Sequence, residues 1–135
     1  MALINWNPHY SVGIVEIDNQ HKKLIALINQ LYAAMRRGNG RDILGPVLSE
    51  LVDYTVYHFS AEERLFHWHG YPEYDEHKQM HDYLSEKAKQ LNREFAEGSP
   101  AITRDVMLFL SNWLNVHILE VDRKYGPFLN AKGVR

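Results

Sequence analysis

Residues 44–72 read LGPVLSELVDYTVYHFSAEERLFHWHGYP, and this stretch predicts the fold most directly. Its apolar residues recur every three or four positions, as they do on one face of an α-helix. Pro46 lies in the first turns of the pattern, where proline is best tolerated. The pattern stops at Gly70-Tyr71-Pro72, a glycine and proline cluster that typically marks a turn. The stretch is therefore interpreted as one long helix followed by a tight connection.

Two further clusters, Gly38-Asn39-Gly40 and Gly98-Ser99-Pro100, interrupt the rest of the chain in the same way. The three breaks leave four segments with helical spacing of apolar residues and almost none of the alternation that marks a strand. Long helices joined by three-residue turns must be antiparallel neighbours. We therefore expect an all-α protein, an antiparallel up-down-up-down four-helix bundle. It is predicted to form one domain over residues 1–135, with an N-terminal arm at 1–18 and the helical bundle at 19–130.

Composition narrows the class of protein. A chain of 135 residues is long enough to bury an apolar core without disulfides, and it contains no cysteine, which excludes disulfides, thiolate metal sites and cysteine nucleophiles. The formal net charge of -2 gives no general attraction to nucleic acid or anionic lipid. No run has the length of a membrane span, and the start MALINWNPHY lacks the regions of a signal peptide. We expect a cytoplasmic protein that binds neither nucleic acid nor membranes. The arm, with Trp6 and Tyr10, is expected to pack across the bundle.

Histidine is the unusual component, because most of the eight histidines fall on apolar stripes. A single buried histidine is usually a hydrogen-bonded structural residue. Several imidazoles and carboxylates in one small core would each be costly to desolvate unpaired, and metal coordination removes that cost. The polar residues on or beside the stripes therefore indicate a metal site, and they are His21, His58, Glu62, His77, His81, His117 and Asp122.

Counting from the turns places these residues at one level of the bundle. His21 lies 18 residues before Asn39, and His58 lies 19 after it. His81 and His117 lie equally far from the third turn. Antiparallel neighbours that are equally far from their shared turn have the same height along the bundle axis, so the side chains should meet.

The five-residue step from His117 to Asp122 is the weak link in this count. Five residues turn about 140° around an ideal helix, so a local bulge or the reach of the carboxylate is needed to bring Asp122 in. If both carboxylates bridge two octahedral metals that share one solvent oxygen, a single position remains for a small ligand. Imidazole and carboxylate suit iron, zinc, copper or nickel, although zinc's preference for four ligands fits seven residues poorly.

Five motifs spread over the whole chain carry a resemblance to a known family: Asp18-x-Gln20-His21-Lys22, His58-Phe59-x-x-Glu62-Glu63, Tyr71-Pro72, His77-x-x-x-His81 and Trp113-Leu114-x-x-His117-Ile118-x-x-x-Asp122. They closely resemble the motifs of the hemerythrin family, and in particular those of its single-domain bacteriohemerythrins. The resemblance implies two iron ions in a non-haem, oxo- or hydroxo-bridged centre that binds dioxygen reversibly.

The resemblance also implies a role for each residue. It assigns one iron to His77, His81 and His117, the other iron, with the open position, to His21 and His58, and the bridges to Glu62 and Asp122. It implies a ligand pocket lined by Phe59, Trp113, Leu114 and Ile118, although packing of the bundle alone would also bury these residues. We expect Glu63 to be a salt-bridge partner and His9, His67 and His69 to be surface or rim residues.

The function implied is an oxygen carrier, storage or delivery protein, not an enzyme. It is expected to be a monomer that binds dioxygen, with an oxygen-consuming enzyme as a candidate partner. The alternatives are an oxygen-sensing module, a di-iron enzyme that processes peroxide or nitric oxide, and an iron store. Ferritin-like di-iron enzymes use Glu-x-x-His pairs, and the sequence contains none.

Overall fold

In the computed structural model of the chain, residues 3–38, 41–97 and 104–135 are described, apart from the side chains of residues 41 and 104–109. Over these ranges the chain is helical and has no strand. The helices are α1 (Val15–Arg36), α2 (Arg41–His69), α3 (Tyr74–Ala96), α4 (Arg104–Val116) and α5 (Tyr125–Ala131). Helix α2 packs against both α1 and α3, and α4 returns to contact α1. The predicted all-α four-helix bundle is confirmed, with α5 as a short addition at its end.

The first helix begins at Val15, a few residues before the predicted start of the bundle at residue 19. The earlier start follows from burial, because Ile14 and Ile17 are 2% and 0% exposed and extend the apolar stripe backwards. The Asp18 carboxylate accepts hydrogen bonds from the Ser11 hydroxyl at 2.5 Å and the Val12 amide at 2.9 Å. These bonds stabilise the entry of the chain into α1.

The segment before α1 packs across the bundle, as expected from its aromatic residues. The Asn29 side chain accepts from the Leu3 and Ile4 amides at 3.0 and 2.9 Å. Further along, Trp6 and Tyr10 pack against the apolar core. The Tyr10 hydroxyl donates to Asn115 Oδ1 on α4 at 2.6 Å, which connects the arm to the helix that carries part of the site.

The turn between α2 and α3 forms at the predicted glycine. Gly70 has a φ of 68°, in the left-handed region that favours glycine, and the Tyr71 amide donates back to the Phe66 carbonyl at 2.9 Å. Gly38 also has a positive φ, of 71°. The rest of the first break, Asn39-Gly40, and the third break, Gly98-Ser99-Pro100, lie outside the described residues.

Two apolar clusters occupy the interior and leave a polar layer between them. One includes Leu24, Leu48 and Leu114, and the other includes Ile17 and Tyr125. Six of the seven predicted metal ligands lie in the sequence between a residue of one cluster and a residue of the other, and His117 lies next to Ile118 of the first cluster. Among the described residues, no helix combines the length and apolar character of a membrane span.

Candidate metal centre

All seven predicted residues are buried, and the structure brings them together. None is more than 4% exposed. They form two overlapping groups in which the nitrogen and oxygen atoms offered lie within 4.8 Å of one another. One group contains three imidazoles and the other contains two, and Glu62 and Asp122 belong to both. The groups are Glu62, His77, His81, His117 and Asp122, and His21, His58, Glu62 and Asp122.

The Asp122 carboxylate lies between the two sets of imidazoles. Its Oδ1 is 3.1 Å from His77 Nε2 and 3.0 Å from His117 Nε2, whereas its Oδ2 is 3.0 Å from His21 Nε2. The two oxygens of one carboxylate thus face different groups. This is the arrangement that a carboxylate bridging two cations requires.

Glu62 also faces imidazoles from both groups. Its Oε1 lies 3.1 Å from His58 Nε2, one turn earlier on α2, and 3.3 Å from His81 Nε2 on α3. Its other oxygen, Oε2, accepts a short hydrogen bond from the buried Tyr125 hydroxyl. Glu62 therefore links α2, α3 and the start of α5 at the centre of the site.

A single π-helical turn brings Asp122 into the site. Residues His117–Val121 form this turn, and the Asp122 amide donates to the carbonyls of both His117 and Ile118. The wider turn places residues five apart nearly above one another, and such turns often occur at functional sites. The local bulge that the five-residue spacing called for is present.

For two imidazoles, a hydrogen bond at Nδ1, on the side of the ring away from the site, determines whether Nε2 presents a lone pair to the site. His81 Nδ1 lies 3.0 Å from Glu63 Oε2, and His58 Nδ1 lies 2.6 Å from Gln20 Oε1. A carboxylate and an amide oxygen can only accept, so each Nδ1 carries the hydrogen. In the neutral rings the two Nε2 atoms are then acceptors that face Glu62 Oε1, another acceptor.

Acceptor atoms that face one another without a hydrogen between them indicate whether the site fits a metal ion. Glu62 Oε1, both Asp122 oxygens and His77 Nε2 are buried and have no hydrogen-bond partner. Buried polar atoms almost always have hydrogen-bond partners. The four unpartnered atoms instead direct their lone pairs toward the centre of the site. A cation there would satisfy all of them, so the residues present fit a metal ion.

The electrostatics of the layer keep the carboxylates ionised. Burial alone would raise the pKa of Asp122, but attraction from His117 and the close approach of the His21 and His77 rings, with nitrogens 3.0 and 3.1 Å away, hold it well below its usual range. The pKa of Glu62 is likewise lowered: burial and Asp122 oppose the shift, and His58 and His81 outweigh them. Two buried carboxylates that remain ionised give the site the negative charge that attracts a cation.

Metal binding should release a proton from the site. Burial lowers the pKa of His81, but the nearby carboxylates of Glu62 and Glu63 outweigh burial and raise it from 6.5 to about 9. Without a cation, a proton on His81 is favoured at neutral pH, because it turns Nε2 into a donor toward Glu62 Oε1, and this proton is lost as the pH rises through about 9. We expect zinc affinity, measured with a chelator-buffered titration, to rise between pH 7 and pH 9. Equal affinity at the two pH values would contradict a site that includes His81.

Three side chains contact the predicted ligands in ways that the sequence analysis did not predict: Gln20, Glu63 and Tyr125. Gln20 was quoted in a motif without a function, and Tyr125 was not singled out, because neither lies at a recognisable ligand spacing. Glu63 was expected to be a salt-bridge partner; its Oε1 lies 3.9 Å from Lys78 Nζ, while its Oε2 accepts from His81. The adjacency of Gln20 to His21 and of Glu63 to Glu62 was the available signal.

The four predicted pocket residues, Phe59, Trp113, Leu114 and Ile118, lie beside the imidazoles and are called the apolar wall. Phe59 stacks on the His81 ring, with centroids 3.9 Å apart and planes 5° from parallel, and its centroid lies 5.6 Å from that of His117. Trp113 is half-buried and meets Phe59 edge-on at 6.0 Å. The remaining two, Leu114 and Ile118, are 1% and 0% exposed in the adjoining apolar cluster.

The other histidines lie outside the metal-ligating groups of the described residues. His9 and His67 are exposed, and His69 is half-buried beside the turn that follows α2. These positions agree with the expectation of surface or rim residues.

Comparisons with known proteins agree with the fold and the site. The profile of the Hemerythrin HHE cation binding domain matches residues 12–129. The chain is 35% identical over 132 residues to a bacteriohemerythrin of Methylococcus capsulatus, a match that covers 97% of this chain and 100% of the relative. It is 34% identical over 131 residues to a bacteriohemerythrin of Stenotrophomonas maltophilia, covering 97% of this chain and 84% of the relative. The crystal structure of a wild-type hemerythrin superposes with a TM-score of 0.88 at 34% identity, over 93% of this chain and 97% of that one. The shared fold, the nearly full-length match and the buried layer of histidines and carboxylates establish that this chain belongs to the hemerythrin family.

Proposed function

We propose that this protein binds dioxygen reversibly at a non-haem di-iron centre and serves as an oxygen carrier, store or delivery protein. The observation that carries the proposal is the pair of overlapping donor groups that share both Glu62 and Asp122. Two groups with shared carboxylates suit two adjacent cations, and unequal numbers of imidazoles, three against two, leave one cation with fewer protein donors. A small ligand is proposed to bind on the side of His21 and His58.

Iron would supply the redox chemistry, because two ferrous ions together can lend two electrons to bound dioxygen and recover them on release. The residues of this chain would hold the ions and exclude water. Gln20 and Glu63 orient two imidazoles from behind, and Tyr125 holds one oxygen of Glu62. The apolar wall that includes Phe59 limits the supply of protons from solvent.

Binding is favoured over oxidative catalysis by the composition of the site. Five of its seven residues are imidazoles, which bind a metal in their neutral form, whereas ferritin-like di-iron sites use more carboxylates. Fewer negative donors stabilise highly oxidised iron less well. The proposal therefore places this protein with the carriers. We further propose that it acts as a monomer and supplies dioxygen to an oxygen-consuming enzyme.

The proposal predicts two irons per chain and a reversible spectral change. Protein reconstituted with ferrous iron without oxygen should contain close to two irons by metal analysis, because one ion cannot satisfy both donor groups. Exposure to air should produce a visible absorption band that disappears when oxygen is removed and returns on re-exposure.

Two results would contradict the proposal in different ways. A reproducible content of one iron would exclude the di-iron assignment. Two irons with an irreversible oxidation on first contact with air would instead favour an enzyme or an iron store.

A further inference from the structure

The two sides of the site differ in the group that stands behind an imidazole. Behind His81 the acceptor is the carboxylate of Glu63, 3.0 Å from Nδ1. Behind His58 the acceptor is the neutral amide of Gln20, 2.6 Å from Nδ1. The group behind His81 thus carries a negative charge, whereas the group behind His58 is neutral.

The contacts of Glu63 show that His81 is its main partner. Lys78 Nζ lies 3.9 Å from Glu63 but 3.0 Å from Asp82 Oδ2, so Asp82 is the closer partner of this half-exposed lysine. Glu63 itself is 18% exposed, whereas His81 is 1% exposed. The carboxylate is largely shielded from solvent, which preserves its effect on the ring.

We propose that Glu63 is a positioning residue that makes His81 the stronger donor and biases the proposed centre toward its oxidised, ferric state. A carboxylate that accepts the Nδ1 hydrogen increases the electron density at Nε2 and fixes the plane of the ring. More electron density at Nε2 stabilises a more highly charged ion. An amide in the same place orients the ring but gives less of this effect. This inference rests on the proposed function, which supplies the two metals.

The direct test is Glu63→Gln, because it keeps the shape and the acceptor atom and removes the charge. We expect the reduction potential of the iron-loaded protein, measured by redox titration with mediators, to rise. Zinc affinity, which involves no redox chemistry, should fall by about 10-fold to 100-fold, the usual cost of losing such an outer partner. Asp82→Asn is the matched control, since it removes a carboxylate that is next to His81 in the sequence but contacts the half-exposed Lys78. The control should keep the wild-type potential and zinc affinity.

Gln20→Glu is the reciprocal variant and keeps the test decisive if Glu63→Gln does not fold. It places a carboxylate behind His58, so the reduction potential should fall. If Glu63→Gln folds and keeps the wild-type potential and zinc affinity, the inference is overturned. If Glu63→Gln is unfolded and Gln20→Glu leaves the potential unchanged, it is overturned as well.

The zinc measurement separates this inference from the proposed function. If Glu63→Gln weakens zinc binding but no variant binds dioxygen reversibly, the role of Glu63 in donor strength stands and the carrier function fails. If reversible oxygen binding is intact and Glu63→Gln changes neither quantity, the carrier function stands and the inference fails.

Discussion

Replacing His117 with alanine is expected to remove most of the bound iron. His117 Nε2 lies 3.0 Å from Asp122 Oδ1 and 3.2 Å from His81 Nε2, so the change removes a donor from the middle of the three-imidazole group. It also takes away the largest opposing attraction that lowers the pKa of Asp122, which leaves that buried carboxylate poorly compensated. Iron content per chain should fall from near two to one or less, and His77→Ala should behave similarly.

The matched control is the double change His67→Ala with His69→Ala. These imidazoles lie near the end of α2, outside both metal-ligating groups, and His67 is exposed. The control removes twice as many imidazoles as His117→Ala but should keep two irons and the oxygen-dependent spectrum. A well-folded double variant that loses the spectrum would mean that these residues support the site. Full iron content in His117→Ala would remove His117 from the proposed ligand set.

The second large effect is expected at the apolar wall. Leu114→Ala should open a space beside the proposed ligand site, and Ile118→Asn should make the wall polar. Either change would admit water and protons and shorten the lifetime of the oxygenated protein by about tenfold or more, equivalent to roughly 1.4 kcal/mol in the barrier. Iron content should stay near that of the wild type, because neither side chain offers a donor atom to a metal.

Loss of stability must be separated from loss of protection. Truncation of a buried leucine costs about 2 to 5 kcal/mol, so Leu114→Ala will also lower the thermal midpoint. Leu31→Ala is the matched control, since Leu31 is 0% exposed in the same apolar cluster but lies ten residues beyond His21 on α1. Both variants should lose stability, and only Leu114→Ala should oxidise faster. Equal oxidation rates in the two would show that Leu114 contributes packing alone.

Much of the fold and the seven-residue cluster was predictable because helical periodicity is a local property. The stripe that contains Leu48, Leu51 and His58 defines a buried face whatever surrounds it. Gly70 marks a turn because glycine, which has no Cβ, adopts the positive φ of such a turn without strain. Distances counted from such turns place buried side chains at equal heights, which is why His21 and His58 could be paired without a structure.

The sequence by itself therefore determined the bundle, its order of helices and the polar residues that its interior must accommodate. Only the tertiary structure decided how Asp122 enters the site and which groups stand behind the imidazoles. The π turn at His117–Val121 departs from regular α-helical hydrogen bonding, and periodicity alone cannot specify it. Gln20 and Glu63 come from helices α1 and α2 and reach rings on α2 and α3, respectively, while Tyr125 reaches Glu62 across 63 positions of sequence. The physical reason is that a hydrogen bond between helices depends on their rotation and separation, which are set by the packing of both partners, whereas a periodic stripe depends on one helix alone.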